Sequence, residues 1–216
     1  LLVVIQPDLG TSVLIAVGGI VVVWLAGVKM QFFAYLGIIF LSVAPVVISF
    51  LKPYQKSRIL TFLDPSRDPL GAGYQITQSK IAIGSGGLFG KGFLNGSQSY
   101  LDYLPEKHTD FIFTLFSEEF GFFGSISILT LYMLITWRIV SIGNMVRSSF
   151  GKLYCYSFAT AFFIYVAVNM GMVLGLIPIV GAPLPILSYG GSSMMAIMLG
   201  LGIAMSCGIH KDQVIG

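Results

Sequence analysis

Five stretches of this chain are apolar over close to the roughly 20 residues that a helix needs to cross a hydrocarbon core. They are Thr11–Val28, Gln31–Phe50, Phe111–Trp137, Leu153–Leu176 and Ser188–Ile209. The third carries Glu118 and Glu119 near its start and is cleanly apolar from Phe120 to Ile135. A chain that is 56% hydrophobic and only 10% charged cannot clothe such runs as a soluble domain, where about a quarter of residues are charged. The expected class is an all-α polytopic membrane protein. Leu1–Ile5 is apolar too, with no Met and no charged n-region, so it is not a signal peptide. It reads as the tail of a further helix, giving five full transmembrane helices plus the end of a sixth, and the chain as the C-terminal part of a larger protein.

Charge placement sets an expected orientation. The connection 141–152 contains Arg147 and Lys152, with Arg138 just before it, and Lys29 and Lys211 lie at helix ends on the same side. The opposite turns, Gln6–Gly10 and Ile177–Leu187, hold no Lys or Arg. The positive-inside rule makes the first side cytoplasmic, with the C-terminus, and puts the long segment 51–110 outside. One membrane domain then divides into 1–50, an extracytoplasmic loop 51–110, and 111–216 with three transmembrane helices and a short tail. A net charge of +3 is too small to argue for nucleic acid. Cys155 and Cys207 have no metal-like spacing and read as packing residues.

The loop opens with Lys52, Tyr54, Lys56 and Arg58 beside Ile59, Leu60, Phe62 and Leu63. This basic amphipathic pattern suits a helix in the headgroup layer, or equally a solvated helix end snorkelling its lysines. Asp64-Pro65 and Asp68-Pro69 break it. Residues 71–92 are rich in glycine but are no phosphate loop, because Gly90-Lys91 is followed by Gly92 rather than Ser or Thr. Between these glycines, Tyr74–Ile83 is expected to form a short helix offering Gln75, Gln78 and Ser79 as polar contacts.

Leu104–Phe113, LPEKHTDFIF, packs Glu106, Lys107, His108 and Asp110 against the mouth of an apolar helix. Ionisable groups are costly there, and such a cluster reads as a functional site. The plain alternative for Thr109 or Asp110 is a cap on the helix beginning at Phe111; for His108 it is a hydrogen-bonded structural imidazole. Arg58, Lys80, Lys91 and Lys107 are candidates for phosphate contact as a group, and solvated charges one by one. Glu118 and Glu119 should face a polar cavity or the interface. Ser188 and its small neighbours suit either close helix packing or substrate contact, and Asn169 a hydrogen bond across the bundle.

QPDLGTS (6–12), GAGYQITQSKIAIGSGG (71–87), LPEKHTDFIF (104–113), SEEFGFFG (117–124) and PIVGAPLPILSYGGSS (178–193) occur in an order and at spacings that resemble the SEDS family (shape, elongation, division and sporulation). The likeness spans essentially the whole chain, and SKIAIGSGGLFGKG and PLPILSYGG look more like its elongation branch than its division branch. It implies the C-terminal part of a ten-helix bundle in the bacterial cytoplasmic membrane. It implies a peptidoglycan glycosyltransferase that polymerises lipid II into glycan strands on the outer face, within the elongation machinery and beside a class B penicillin-binding protein. The family's essential aspartate falls on Asp110. Asp102 stands where the family pattern has Glu, which keeps the charge and shortens its reach.

Glycosyl transfer needs a base for the acceptor hydroxyl, and a carboxylate at the loop–membrane junction can serve. Asp110 is therefore the expected general base. Glu106, His108, Asp102 and Lys107 would support it, and Arg58, Gln78, Lys80, Lys91 and Ser188 would contact pyrophosphate or lipid. A divalent cation, Mg or Mn, would suit hard oxygen ligands on the leaving pyrophosphate, but no spacing establishes one. The competing readings are a flippase for the lipid-linked precursor and a non-catalytic scaffold of the cell-wall machinery. With half of the bundle, residues 1–216 alone are expected to be inactive.

Overall fold

The computed structural model describes residues 9–50, 53–68, 71–96 and 108–213, and among these the regular structure is entirely helical. In chain order the helices are α1 (Leu9–Leu25), α2 (Met30–Phe50), α3 (Pro53–Leu63), α4 (Ala72–Ser85), α5 (Ile112–Met145), α6 (Ser149–Val173) and α7 (Gly191–Ile209), with a 3-10 turn at Pro65–Arg67. Helices α5, α6 and α7 are each long and apolar enough to cross a membrane; the apolar described parts of α1 and α2, Leu14–Leu25 and Met30–Val43, are shorter. The tail at 1–5 lies outside the described residues.

Two boundaries differ from expectation. Helix α5 continues past Arg138 to Met145, so the connection expected at 141–152 narrows to 146–148. A lone arginine at the bilayer edge keeps its helix propensity and does not end a helix. Helix α7 begins at Gly191 rather than Ser188, because Ser188 and Tyr189 are engaged elsewhere. The short helix expected at Tyr74–Ile83 is present and extends to Ala72–Ser85.

The core forms where α5 packs along α6. One cluster joins Phe111, Phe113 and Tyr132 to Phe162, Val166 and Leu184. A second, further along, joins Ile139 and Ile142 to Cys155, Ala159 and Ala204, whose small side chains let α6 and α7 approach α5 closely. Both cysteines are free thiols, and Cys155 is buried in this packing as expected. Several polar groups inside the bundle are matched, while Ser157 Oγ and Asn169 Oδ1 are buried without a hydrogen-bond partner among the described residues. The Tyr132 hydroxyl donates to Pro185 O at 2.5 Å, and Ser79 Oγ links α4 to α5 and α6 through Thr114 Oγ1 at 2.7 Å and Val173 O at 2.8 Å.

Helix α5 is broken at Gly121, whose φ of 65° lies in the left-handed region. A break strands carbonyls on one side and N–H groups on the other. The segment after α4 takes up both: Lys91 and Gly92 donate to Glu118 O and Glu119 O at 3.0 Å each, while Phe122 and Phe123 donate to Gly87 O and Leu88 O at 2.9 and 3.2 Å. The approach depends on Gly90, where a Cβ would stand 2.1 Å from Glu119 O.

The two ends of the bundle gather different residues. At one, Arg147 N–H donates to Lys211 O at 3.0 Å, and its guanidinium lies 3.8 Å from Asp212. At the other, Tyr189 N–H donates to His108 O at 2.8 Å. The basic connection and the acid-bearing segment therefore sit at opposite ends.

Candidate functional site

Asp110 lies two residues before α5. The N-cap position falls on Phe111, which makes no side-chain capping hydrogen bond. The main chain of segment 108–110 is held from two sides. Tyr189 N–H donates to His108 O at 2.8 Å, Ser188 Oγ to Thr109 O at 2.6 Å, and Asn169 Nδ2 to Asp110 O at 2.8 Å. Three successive carbonyls are thus fixed by groups from α6 and from the turn before α7.

The fixing groups are themselves braced. Ser188 Oγ accepts from Leu184 N–H at 2.6 Å. Asn169, fully buried, sends its second N–H to Ala182 O at 2.7 Å, joining Asp110 to the Ala182–Pro185 stretch. The Asn169 contact engages the carbonyl of Asp110 rather than its carboxylate. Asp110 Oδ2 lies 3.5 Å from where a Cβ on Gly181 would be, which places the carboxylate against that turn. Replacing Asn169 with Ala should cost about 1–3 kcal/mol by removing the donor to the buried Ala182 O and the part-buried Asp110 O. Thermal unfolding of the detergent-solubilised full-length protein checks this, and an unchanged melting temperature would refute it.

Two cavities flank the same turn. One of 600 Å³ opens beside exposed His108, with Tyr189, Gly190 and Gly191 at the start of α7. The other, of 510 Å³, is lined by Leu14, Phe162, Leu184 and Ile197 among others and is largely apolar. The described residues thus bring His108, Asp110, Asn169, Ser188 and Tyr189 together.

The remaining candidates fall elsewhere. Ser188 is buried, and its hydroxyl already donates to Thr109 O and accepts from Leu184 N–H, so in this fold it braces the acid-bearing segment. Lys91 Nζ lies 2.7 Å from Glu118 Oε1, an ion pair that the sequence reading, which offered Lys91 to phosphate, did not foresee. Lys80 is exposed, its stem lying over Gly175 just past the C-terminus of α6, and Gln78 is half-buried. Asp102, Glu106 and Lys107 lie outside the described residues, as does the side chain of Arg58. Among the described residues no three His, Cys, Asp or Glu side chains converge to hold a metal ion. These residues do not supply the donor set for the expected Mg or Mn.

Asn169 was legible as an amide inside an apolar helix, and the structure supplies its partners. The Tyr189 N–H clamp carries no sequence signal, since every residue but proline offers a backbone donor.

The model of the FtsW/RodA/SpoVE family of cell cycle proteins matches residues 1–213. The chain is 47% identical over 215 residues to the peptidoglycan glycosyltransferase MrdB of Escherichia coli K12, covering 99% of this chain and 58% of that protein. It is 48% identical over 156 residues to the peptidoglycan glycosyltransferase RodA of Treponema pallidum, covering 72% of this chain and 36% of that one. The fold is similar, with a TM-score of 0.80 and 38% identity, to a chain of a peptidoglycan synthase complex that coordinates polymerization and crosslinking. That match covers 98% of this chain and 59% of the other. The chain therefore spans little more than half the length of relatives that it matches almost from end to end.

Proposed function

The chain belongs to the FtsW/RodA/SpoVE family of polytopic membrane proteins, and from that premise we propose that the whole protein polymerises lipid II into glycan strands with Asp110 as general base. The observation that carries this reading is the triple main-chain clamp on residues 108–110. It fixes a carboxylate-bearing residue in place through three successive main-chain carbonyls, and fixed position is what a general base requires.

In the proposed step the acceptor hydroxyl gives its proton to the Asp110 carboxylate as its oxygen bonds to the anomeric carbon of the donor sugar. The bond from that carbon to the lipid pyrophosphate breaks, and the pyrophosphate leaves with the bonding electrons. His108, at the edge of the 600 Å³ cavity, suits contact with the substrate's polar head. The apolar 510 Å³ cavity across the turn suits part of a lipid chain. Asp102, Glu106 and Lys107, adjacent in sequence, would complete the polar surroundings, and any divalent cation would draw on them. The reading places the acid-bearing end outside the cytoplasm and the Arg147–Asp212 end inside. It assigns the protein to the elongation branch, with a class B penicillin-binding protein as partner.

The test is full-length protein in vesicles supplied with lipid II. Glycan polymer is the expected product. Movement of lipid II across the bilayer without polymer would replace this reading with a flippase, and neither activity in folded protein would leave a scaffold.

A further inference from the structure

We propose that residues 87–94 are a re-entrant wedge, sunk among the lipid acyl chains of the half-bilayer away from Arg138. It is a lipid-contact surface independent of any glycosyl transfer.

The first support is depth. The apolar part of α5 ends at Trp137 and Arg138, an aromatic followed by a cation, as expected at a membrane boundary. Phe123 lies 15 residues earlier in the sequence, or about 22 Å along a helix. A hydrocarbon core is about 30 Å thick, so Phe123 stands inside it and Phe120 near its far boundary. Hydroxyls in this stretch behave as lipid requires: Ser125, Ser127, Thr130 and Thr136 each donate to a carbonyl of the preceding turn. The wedge is level with the outer part of this segment, since the Phe89 ring packs on Phe123 at 5.4 Å and the Phe93 ring on Phe120 at 6.3 Å, centroid to centroid.

The second support is that the wedge ties part of its irregular backbone into the protein, which backbone at such a depth requires. Besides the four main-chain bonds to the broken helix, Gly90 N–H donates to Gly86 O at 2.8 Å and Asn95 N–H to Gly92 O at 3.1 Å. Its one cation, Lys91, is neutralised by the buried Glu118 carboxylate.

The third support is the kind of surface that remains. Phe89 is 81% exposed and Phe93 69%, and they run without interruption into exposed Phe122 and Phe123 of α5. Helix contacts within membranes favour small residues, and apart from Phe113 the buried residues of this part of α5 are small or polar: Thr114, Ser117, Glu118, Glu119 and Gly121. The outward side is bulky and aromatic. That contrast marks lipid as the occupant, rather than another helix of the full-length protein. Insertion of this kind, about 5–10 Å into the boundary, is typical of interfacial anchors.

The experiment uses full-length protein in phospholipid vesicles, with its other cysteines replaced and Phe89→Cys or Phe93→Cys carrying an environment-sensitive fluorophore. Monodisperse, folded preparations are compared with nitroxides placed shallow or deep on the acyl chains and with aqueous iodide. Blue-shifted emission, strongest quenching by the shallow nitroxide and little effect of iodide are expected at both positions. Quenching by iodide alone would show a water-exposed loop and overturn the proposal. Protection from both quenchers would show a protein-covered face and overturn it equally.

Discussion

Asp110→Asn in the full-length protein should lower polymerisation of lipid II by about 10²–10⁴-fold, the usual contribution of a positioned acid–base group. The substitution changes one atom of the side chain and leaves its shape. The clamp on residues 108–110 engages main-chain carbonyls supplied by His108, Thr109 and Asp110, so it survives the exchange. What is lost is the ability to take up a proton. Melting temperature and binding of the proposed penicillin-binding partner should stay near wild type, which separates chemical loss from misfolding. Asn169→Ala should differ by lowering stability. An Asp110→Asn protein that polymerises at the wild-type rate would remove Asp110 from the chemistry and leave the rest of the fold argument standing.

The second large effect is expected at Lys91. Its ammonium lies 2.7 Å from Glu118, whose side chain is 1% exposed while that of Lys91 is 29% exposed. Truncating the lysine leaves a buried carboxylate without its cation, and breaking a buried pair in this way costs about 3–5 kcal/mol. Lys91→Ala should fall near the lower end of that range because Lys91 itself keeps some access to solvent. The double variant Lys91→Met with Glu118→Gln removes both charges and should recover most of the loss, since a neutral pair leaves no uncompensated ion. Thermal unfolding of the single and double variants in the same detergent gives the comparison. Equal melting temperatures for Lys91→Ala and wild type would mean that the pair adds nothing to stability.

Much of this was legible in the chain. The apolar runs located α1, α2, α5, α6 and α7 because spanning a bilayer demands length and apolarity, both properties of a contiguous segment. The short helix α4 was visible from the apolar and polar residues lying between glycines. The break in α5 was less visible. SEEFGFFG looks like helix continuing into the membrane, and only the loop bonded to Glu118, Glu119, Phe122 and Phe123 makes a left-handed Gly121 tenable there. The same docking turned Lys91 from a candidate phosphate ligand into the partner of Glu118. Ser188 likewise became a brace through contacts with Thr109, 79 residues away.

By itself the sequence determined a polytopic helical membrane protein, its family and the cluster containing Asp110. Those follow from local composition and from ordered blocks of residues, which need no knowledge of what touches what. Tertiary structure decided how Asp110 is held, which carboxylate receives Lys91, and that Phe89 and Phe93 lie beside the outer turns of α5. Each of these is a pairing between segments far apart in the chain. Backbone donors such as Tyr189 N–H are common to nearly every residue, so only the fold selects the carbonyl that each one meets.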